Sequence, residues 1–310
     1  MTVRRLFKLS VVHSLPITIR SLSKVVGQPT PTKRNGKKGV NDRKKGKTKY
    51  GVVLPRTYAQ VQLDLANGNT LWQDAVEKEM AALIHHNCFQ FMEPNFKPTE
   101  DYQYAPLNLI FEVKADLTRK ARLVIMGNVV DPRGLSTRAT VVKGISVRLL
   151  SIIAHRDKLN ELCGDIGNAF IQADTKEKIY TRCGPEFGSH EGSVALIVRA
   201  LYGLCTSAER FRSLLADFLK HIGFIPTRYD RDVWMKLRRS KDGYDYICTH
   251  VDDFKIVAKS PEHWLHLIKD CFLVKQSGLP EYYLGNNYRF EDKDQMWTMG
   301  CDTYTAETNR

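Results

Sequence analysis

The chain has 310 residues, of which 43% are hydrophobic, enough for one large or two modest cores. Its formal net charge of +13 is concentrated at one end: residues 1–50 hold 14 Lys and Arg against a single acid, Asp42, while the remainder holds 33 basic and 33 acidic residues. Seven cysteines stand singly with no C-x-x-C pair, which speaks against a disulfide framework or a zinc site, and no apolar run approaches the roughly 20 residues of a membrane span.

In chain order, residues 1–54 read as a basic, largely disordered tail. The stretch KRNGKKGVNDRKKGKTKY is poor in large apolar side chains. Such a run suits a solvated linker, a nucleic-acid contact or an import signal. The first 24 residues lack acids and contain Arg and Ser, a composition shared with mitochondrial presequences, although the cytoplasm or nucleus is the expected compartment.

Residues 55–310 read as a folded domain. TLWQDAVEKEMAALIHHN predicts a helix with Thr70 as N-cap and a stripe of Trp72, Val76, Met80 and Leu83. NLIFEVKADLTRKARLVIMGN predicts a hairpin around a polar turn. GISVRLLSIIAHRD has helical period, and LNELCGDIGNAFIQA predicts a short strand that ends near Asp165 and passes into a helix. VALIVRALYGL is a buried run, and SAERFRSLLADFLKHIGF a helix with Phe211, Leu214, Leu215, Phe218 and Ile222 on one side, stopped by Gly223. A hairpin over YDYICTHVDDFKIVAKS follows, entered by Asp242-Gly243. Ser260 and Pro261 open another helix, and EYYLGNNYRFEDKDQMWTMG reads as two strands around Asp292-Lys293-Asp294. Helices interleaved with mostly antiparallel strands define the α+β class.

Asp252 and Asp253 interrupt two apolar, β-branched runs. Like charges repel there, and an unpaired buried carboxylate costs several kcal/mol or neutralises, so a cation is required. Neighbouring strand side chains point to opposite faces; one of the two aims at that cation, and a second carboxylate comes from elsewhere. Asp165, at the end of another apolar strand, is the best candidate. Two carboxylates with substrate phosphates are the hard oxygen ligands Mg²⁺ prefers, and two such ions about 3.5–4 Å apart activate a 3′-hydroxyl and stabilise pyrophosphate. The chemistry suggested is nucleotidyl transfer. The plain alternative is a polar turn at 252–253 and a helix cap at Asp165.

The ordered set of motifs resembles the reverse transcriptases of copia-type retrotransposons from about Pro55 onward. PRTYAQV followed by WQDAVEKEMAALIHHNCFQFM is similar to that family's opening segment, and KARLV, Lys120 to Val124, to its fingers motif. GDIGNAFIQADTKEKIYTRCGPEFG resembles its first-Asp motif, and LYGL, HVDD and YYLG follow in the family's order and spacing. The resemblance implies right-hand polymerase fingers and palm, the palm a mostly antiparallel sheet packed on helices. It implies an RNA-directed DNA polymerase that transfers nucleotides from dNTPs to a primer on an RNA or DNA template.

In that resemblance Asp165, Asp252 and Asp253 are the catalytic acids. Asp165, Asp252 and the Ile166 carbonyl hold two Mg²⁺ ions, with Mn²⁺ as a substitute, and Asp253 is more peripheral. Lys120 and Arg122 meet the triphosphate, with only one of the two expected to face inward from a strand. Phe170 lies under the incoming sugar, where a bulky ring excludes a 2′-hydroxyl. Thr206 takes the place of the family's pocket Gln, with a shorter reach. The chain is expected to be a fragment of a Pol polyprotein, ending before thumb, connection and RNase H, with integrase and RNase H on the intact polyprotein and no membrane partner.

Some positions depart from the family pattern. His250 replaces a Tyr, Cys205-Thr206-Ser207-Ala208-Glu209 replaces Lys-Gln-Ser-Pro-Arg, and Ile125-Met126-Gly127 lacks a basic residue before the Gly. These changes fall in the pocket while the carboxylates are intact. A catalytically decayed remnant that keeps the fold and binds nucleic acid only is therefore the alternative reading. A two-metal nuclease is disfavoured, because the Ala-Phe pair beside Asp165 suits a sugar gate better than a water site.

Overall fold

The computed structural model describes residues 47–300 except 94, 285 and 292–295. The tail as far as residue 46, the turn at Asp292-Lys293-Asp294 and the chain after Gly300 lie outside the described residues. The last part of the expected tail is described, and it is folded. β1 (Thr48–Lys49) and β2 (Val52–Val53) form a small hairpin, Lys49 Nζ lies 3.0 Å from Glu112 Oε1, and Leu54 is buried. The boundary expected at residue 55 is corrected accordingly: Val52 and Leu54 add apolar surface to the first core, which a solvated linker does not do.

α1 (Tyr58–Ala66) starts at Thr57, whose side chain accepts from the Gln60 N–H. In α2 (Leu71–His85) the stripe of Trp72, Val76, Met80 and Leu83 is buried as its spacing predicts. Thr70 is not its side-chain cap. Its hydroxyl donates to Asp74, and Asn69 Oδ1 accepts from the Leu71 N–H at 3.3 Å. β3 (Phe89–Phe91) and β4 (Gln103–Tyr104) precede the predicted hairpin, β5 (Leu107–Val113) with β6 (Arg119–Ile125). The Trp72 ring meets Phe111 of β5 edge-on at 5.5 Å, so helix α2 and this hairpin share the first core.

α3 (Gly144–Arg156) leads into β7 (Asn160–Ile166). The helix expected after Asp165 is only one 3₁₀ turn, Phe170–Gln172. Asn168 has a positive φ of 53° and Ala173 is already extended, so the chain turns back at once into β8 (Asp174–Arg182). The Gln172 side chain closes this loop, donating to the Gly167 carbonyl at 2.6 Å and accepting from the Leu273 N–H at 3.3 Å. β9 (Val194–Arg199) completes a four-stranded sheet of order β3-β9-β8-β4.

α4 (Ser207–His221) buries Phe211, Leu215, Phe218 and Leu219, and Gly223 follows it at φ 92°. β10 (Ile225–Pro226), β11 (Val233–Leu237), β12 (Tyr244–His250) and β13 (Asp253–Ala258) come next, then α5 (Pro261–Cys271) and β14 (Val274–Gly278). β15 (Tyr282–Tyr283), β16 (Asn286–Glu291) and β17 (Met296–Gly300) form a separate antiparallel sheet.

The central sheet has six antiparallel strands in the order β10-β11-β12-β13-β7-β14. One face packs Ile247, Phe254 and Ile256 on Phe211 and Phe218 of α4 and on Trp264 and Ile268 of α5. The other packs Cys248 and Val257 on Val147 and Leu150 of α3 and on Tyr283 and Tyr288. No helix among the described residues is long and apolar enough to cross a membrane.

A chain begun at residue 47 should melt about 4–8 °C above one begun at 55, because the longer chain keeps about 2 kcal/mol of apolar burial. Equal midpoints in a thermal scan would return the hairpin to the tail.

Candidate active site

β12 and β13 are joined by a two-residue turn, Val251-Asp252, with His250 and Asp253 paired across it. Val251 has a φ of 56° and Asp252 does not have a positive φ, the pattern of a II′ turn that normally takes Gly. A β-branched residue there costs about 1–3 kcal/mol, so surrounding structure must hold it. Part of that hold is visible: the Ile166 N–H donates to the Asp252 carbonyl at 2.8 Å, tying the turn to the end of β7. The Ile166 side chain is buried in the palm core.

Asp253 lies directly opposite Asp165 in the β13–β7 ladder. Residues opposite one another in antiparallel strands share a face, so both carboxylates point to the same side. There they line a cleft of about 420 Å³ with Cys163, Gln276, Glu281 and Tyr283. Asp252 sits one residue away in the turn. The turn makes His250 and Asp253 its first rung, so the second acid of the pair enters the ladder beside Asp165, where the resemblance had set Asp253 at the periphery. Burial, then Asp252 and Asp165, push the Asp253 carboxyl up to about 6. Burial also raises Asp165, with Asp252 adding to the shift while Lys275 and Lys120 oppose it. Among the described residues no group of three or more His, Cys, Asp or Glu is placed to hold a metal ion by itself.

Facing these acids is a cluster of cations. Lys120 and Arg122 share a face of β6, since side-chain direction repeats every second residue; the expectation that only one faces inward is corrected. Burial and the charges of Arg122, Lys275 and Lys114 lower the Lys120 pKa. Glu79 of α2 is set among Lys120, Arg122 and Lys275; its carboxylate accepts from the Leu123 N–H at 3.2 Å, and burial raises its pKa. Lys275 is the extra residue of a bulge between Val274 and Gln276, where β14 pairs with Ile166 and Asp165. Its aliphatic chain covers Gly167, where a Cβ would fall 2.6 Å from Lys275 Cγ. Such a bulge re-aims a side chain. Nothing in the sequence pattern announces it.

Phe170 is half-buried at the edge of the palm core, its ring 5.0 Å from that of Tyr202, while the Arg122 guanidinium lies 5.3 Å from the Tyr202 ring. Burial raises the Tyr202 pKa; Arg122 opposes this, and Asp252, Glu79 and Asp165 add to it. Tyr202 thus links the fingers cation to the palm acids. LYGL marks its position in the sequence, and nothing in that motif by itself indicates the link. The Ile125 N–H donates to the Tyr202 carbonyl at 2.8 Å, and Gly203 has a φ of 100° with the Ile125 carbonyl 2.0 Å from where a Cβ would stand. Only glycine permits that approach.

Of the sequence-predicted site residues, Asp165 and Asp253 line the cleft itself; Thr206 and His250 are set apart from the site. Thr206 is fully buried and donates its hydroxyl to Glu177, so it is corrected from nucleotide contact to a support beneath the start of α4. His250 lines a separate cavity of about 210 Å³ with Arg148, Leu284 and Asn286.

An antiparallel palm with one acid at a strand end and two at the neighbouring hairpin, beside a basic fingers hairpin, defines the class of right-hand nucleic-acid polymerases. The sequence profile of the family described as reverse transcriptase (RNA-dependent DNA polymerase) matches residues 97–294, more than half of the chain, and the chain belongs to that family. It is 28% identical over 246 residues to the Retrovirus-related Pol polyprotein from transposon RE1 of Arabidopsis thaliana, covering 74% of this chain and 16% of that protein. It is also 28% identical over 249 residues to the corresponding polyprotein from transposon TNT 1-94 of Nicotiana tabacum, covering 75% of this chain and 18% of that protein. Both are copia-type, in keeping with the motif order. The foamy viral protease-reverse transcriptase in complex with dsDNA is a similar solved structure, 16% identical with a TM-score of 0.43, covering 78% of this chain and 44% of that one.

Gly203→Ala should cost about 2–3 kcal/mol in urea unfolding, because backbone must move to admit the methyl. Val251→Gly should instead leave stability unchanged or raise it by up to about 1 kcal/mol, relief of strain outweighing the entropy glycine adds to the unfolded chain. A destabilised Val251→Gly would show that the turn is not strained.

Proposed function

We propose that the chain is the catalytic core of an RNA-directed DNA polymerase that adds nucleotides from dNTPs to a primer 3′-hydroxyl on an RNA or DNA template. The observation that carries this reading is Asp165 directly across from Asp253 on one cleft, with Asp252 beside them and the charges of Lys275 and Lys120 acting on Asp165. Mutually repelling acids and mutually repelling cations a short distance apart suit a ligand that brings both a divalent ion and a chain of phosphates.

The acids fit Mg²⁺. They offer only oxygen, the Asp252 charge helps to raise the pKa of both Asp165 and Asp253, and these two face an open cleft, whereas Mg²⁺ takes one or two protein carboxylates and completes its shell with water and phosphate. Asp165 with Asp252 and Asp253, and the Ile166 carbonyl, would hold two such ions. When bound, they supply activation of the 3′-hydroxyl and stabilisation of the departing pyrophosphate.

The remaining work falls to this chain's own side chains. Arg122 grips phosphate oxygens with its planar fork, held by the Tyr202 ring, and Lys120 and Lys275 act as point charges. Phe170, braced against the same Tyr202, occupies the position where its ring meets the sugar and rejects a 2′-hydroxyl. On a Pol polyprotein the chain would work beside integrase and RNase H.

Burial of Thr206 favours a second reading, in which the pocket has lost a nucleotide contact and the chain binds nucleic acid without extending it. A primer-extension assay with Mg²⁺ or Mn²⁺ separates the two. Wild type should extend, and Asp165→Asn and Asp252→Asn should fall to background. Phe170→Val should gain rNTP incorporation while losing little with dNTPs. A wild type that binds primer–template in a salt-dependent way but extends nothing decides for the remnant.

The raised Asp253 pKa gives a test that needs no turnover. Between roughly pH 4, the usual carboxylate value, and the folded value of about 6, the folded chain binds more protons than the unfolded one. The stability is therefore full below that window and is lost as pH rises through it. Asp253→Asn should raise the melting temperature above pH 6 and change it little near pH 4. Added Mg²⁺ should stabilise wild type at pH 8 and the variant much less. A pH-independent effect of the substitution would break the electrostatic account.

A further inference from the structure

Lys255 in β13 and Glu161 in β7 form an ion pair inside the palm, with Nζ 2.9 Å from Oε2 and side chains 0% and 1% exposed. An apolar pair of similar size is usually as stable as a buried ion pair or more so, and such a pair therefore calls for a reason other than stability. Lys255 Nζ also donates to Ser151 Oγ of α3 at 2.8 Å and lies 4.7 Å from the ring of Tyr288 in β16. Neither Glu161 oxygen receives a well-aligned hydrogen bond among the described residues, so Lys255 is what compensates its charge.

The position of the pair supplies the reason. Lys255 is two residues after Asp253 and Glu161 four before Asp165, so all four side chains share one face of the two strands. Apolar patterning fixes this register weakly. β13 is apolar on both faces, through Phe254 and Ile256 on one and Val257 on the other; the mark on β7 is steric, Gly164, where a Cβ would collide with the ring of the opposed Phe254. On its other edge β7 meets the bulge of β14, which already accommodates a shifted register. A slip of one residue against β13 would set Gly164 opposite Asp253 and turn Asp165 to the face covered by α4 and α5. It would also carry Glu161 to that apolar face and leave Lys255 without its partner, two uncompensated buried charges.

We infer that the Lys255–Glu161 pair is the register lock of the palm: a positioning pair that touches no substrate and holds Asp165 opposite Asp253 by making the slipped pairing untenable. The use of that register rests on the polymerase reading above; the register itself does not.

The test is made in the full chain. Asp165→Cys together with Asp253→Cys reports the pairing, because opposed strand positions lie within disulfide reach, and peptide mapping after mild oxidation identifies the bond. Adding Lys255→Met with Glu161→Met should leave circular dichroism and melting temperature near those of the parent, yet cut the yield of this bond by about fivefold or more. Adding Lys255→Arg instead should retain it. Without the cysteines, the Met pair should weaken Mn²⁺ binding, read by electron paramagnetic resonance, by about tenfold, and Lys255→Arg should not. An unchanged cross-link yield in the folded Met pair overturns the proposal, and so does a Met pair that fails to fold, which would make the ion pair a stability element. A wild type that binds no Mn²⁺ counts against the polymerase reading, and the cross-link alone then decides the lock.

Discussion

Three carboxylates brought to one end of one sheet are the constraint on which the rest of this palm depends. Left to themselves they repel, and burial makes the ionised forms of Asp165 and Asp253 less favourable, as their raised pKa values show. The fold holds them in place with several devices: a two-residue turn with a strained Val251, a backbone hydrogen bond from Ile166 to Asp252, and a bulge that brings Lys275 to Asp165. Lys255 and Glu161, on the same face, add a second charged layer beneath the first. The strained turn sacrifices some local stability, a common sign of a site kept ready for a ligand, and the hydrogen bond from Ile166 holds it.

The second constraint is the joint between fingers and palm. β6 carries Lys120 and Arg122, but its last residue, Ile125, is bound to the loop of Tyr202 and Gly203. Whatever shifts that loop therefore shifts the cations against the acids. Tyr202 makes this coupling specific, with Phe170 and Arg122 both at its ring. LYGL is thus the joint between the two cores, with Leu201 and Leu204 in the first and Ala200, just before it, in the second.

How much of this was legible in the sequence follows from which forces act locally. The α2 stripe, the β5–β6 hairpin and the Gly223 stop were readable, because each rests on periodicity or on one residue's backbone preference. Convergence of Asp165 on the Asp252-Asp253 turn was readable from chemistry, since isolated acids in apolar strands need a partner. The identity of the opposed acid was not, because it depends on the length of the turn. Lys275 was invisible for a related reason: a bulge is a property of pairing between strands. The 47–54 hairpin was masked by its composition, with lysines before Val52 and Leu54, whose burial only the fingers core decides.

The departures from the family pattern after LYGL also acquire a physical meaning. Cys205-Thr206-Ser207-Ala208-Glu209 is not a random loss of polar chemistry, for it builds the start of α4. Thr206 satisfies the buried Glu177, Ser207 donates to the Leu201 carbonyl, and Glu209 lies in the first turn, where a negative charge complements the helix dipole and holds Ser213 at 2.6 Å. These polar side chains serve the helix that supports the palm. The acids, their opposed register and the cations of β6 are untouched by this change. The polar groups of this segment are spent on the scaffold: each of Thr206, Ser207 and Glu209 already has a partner at or beneath the start of α4, so replacing them should be felt first in the fold.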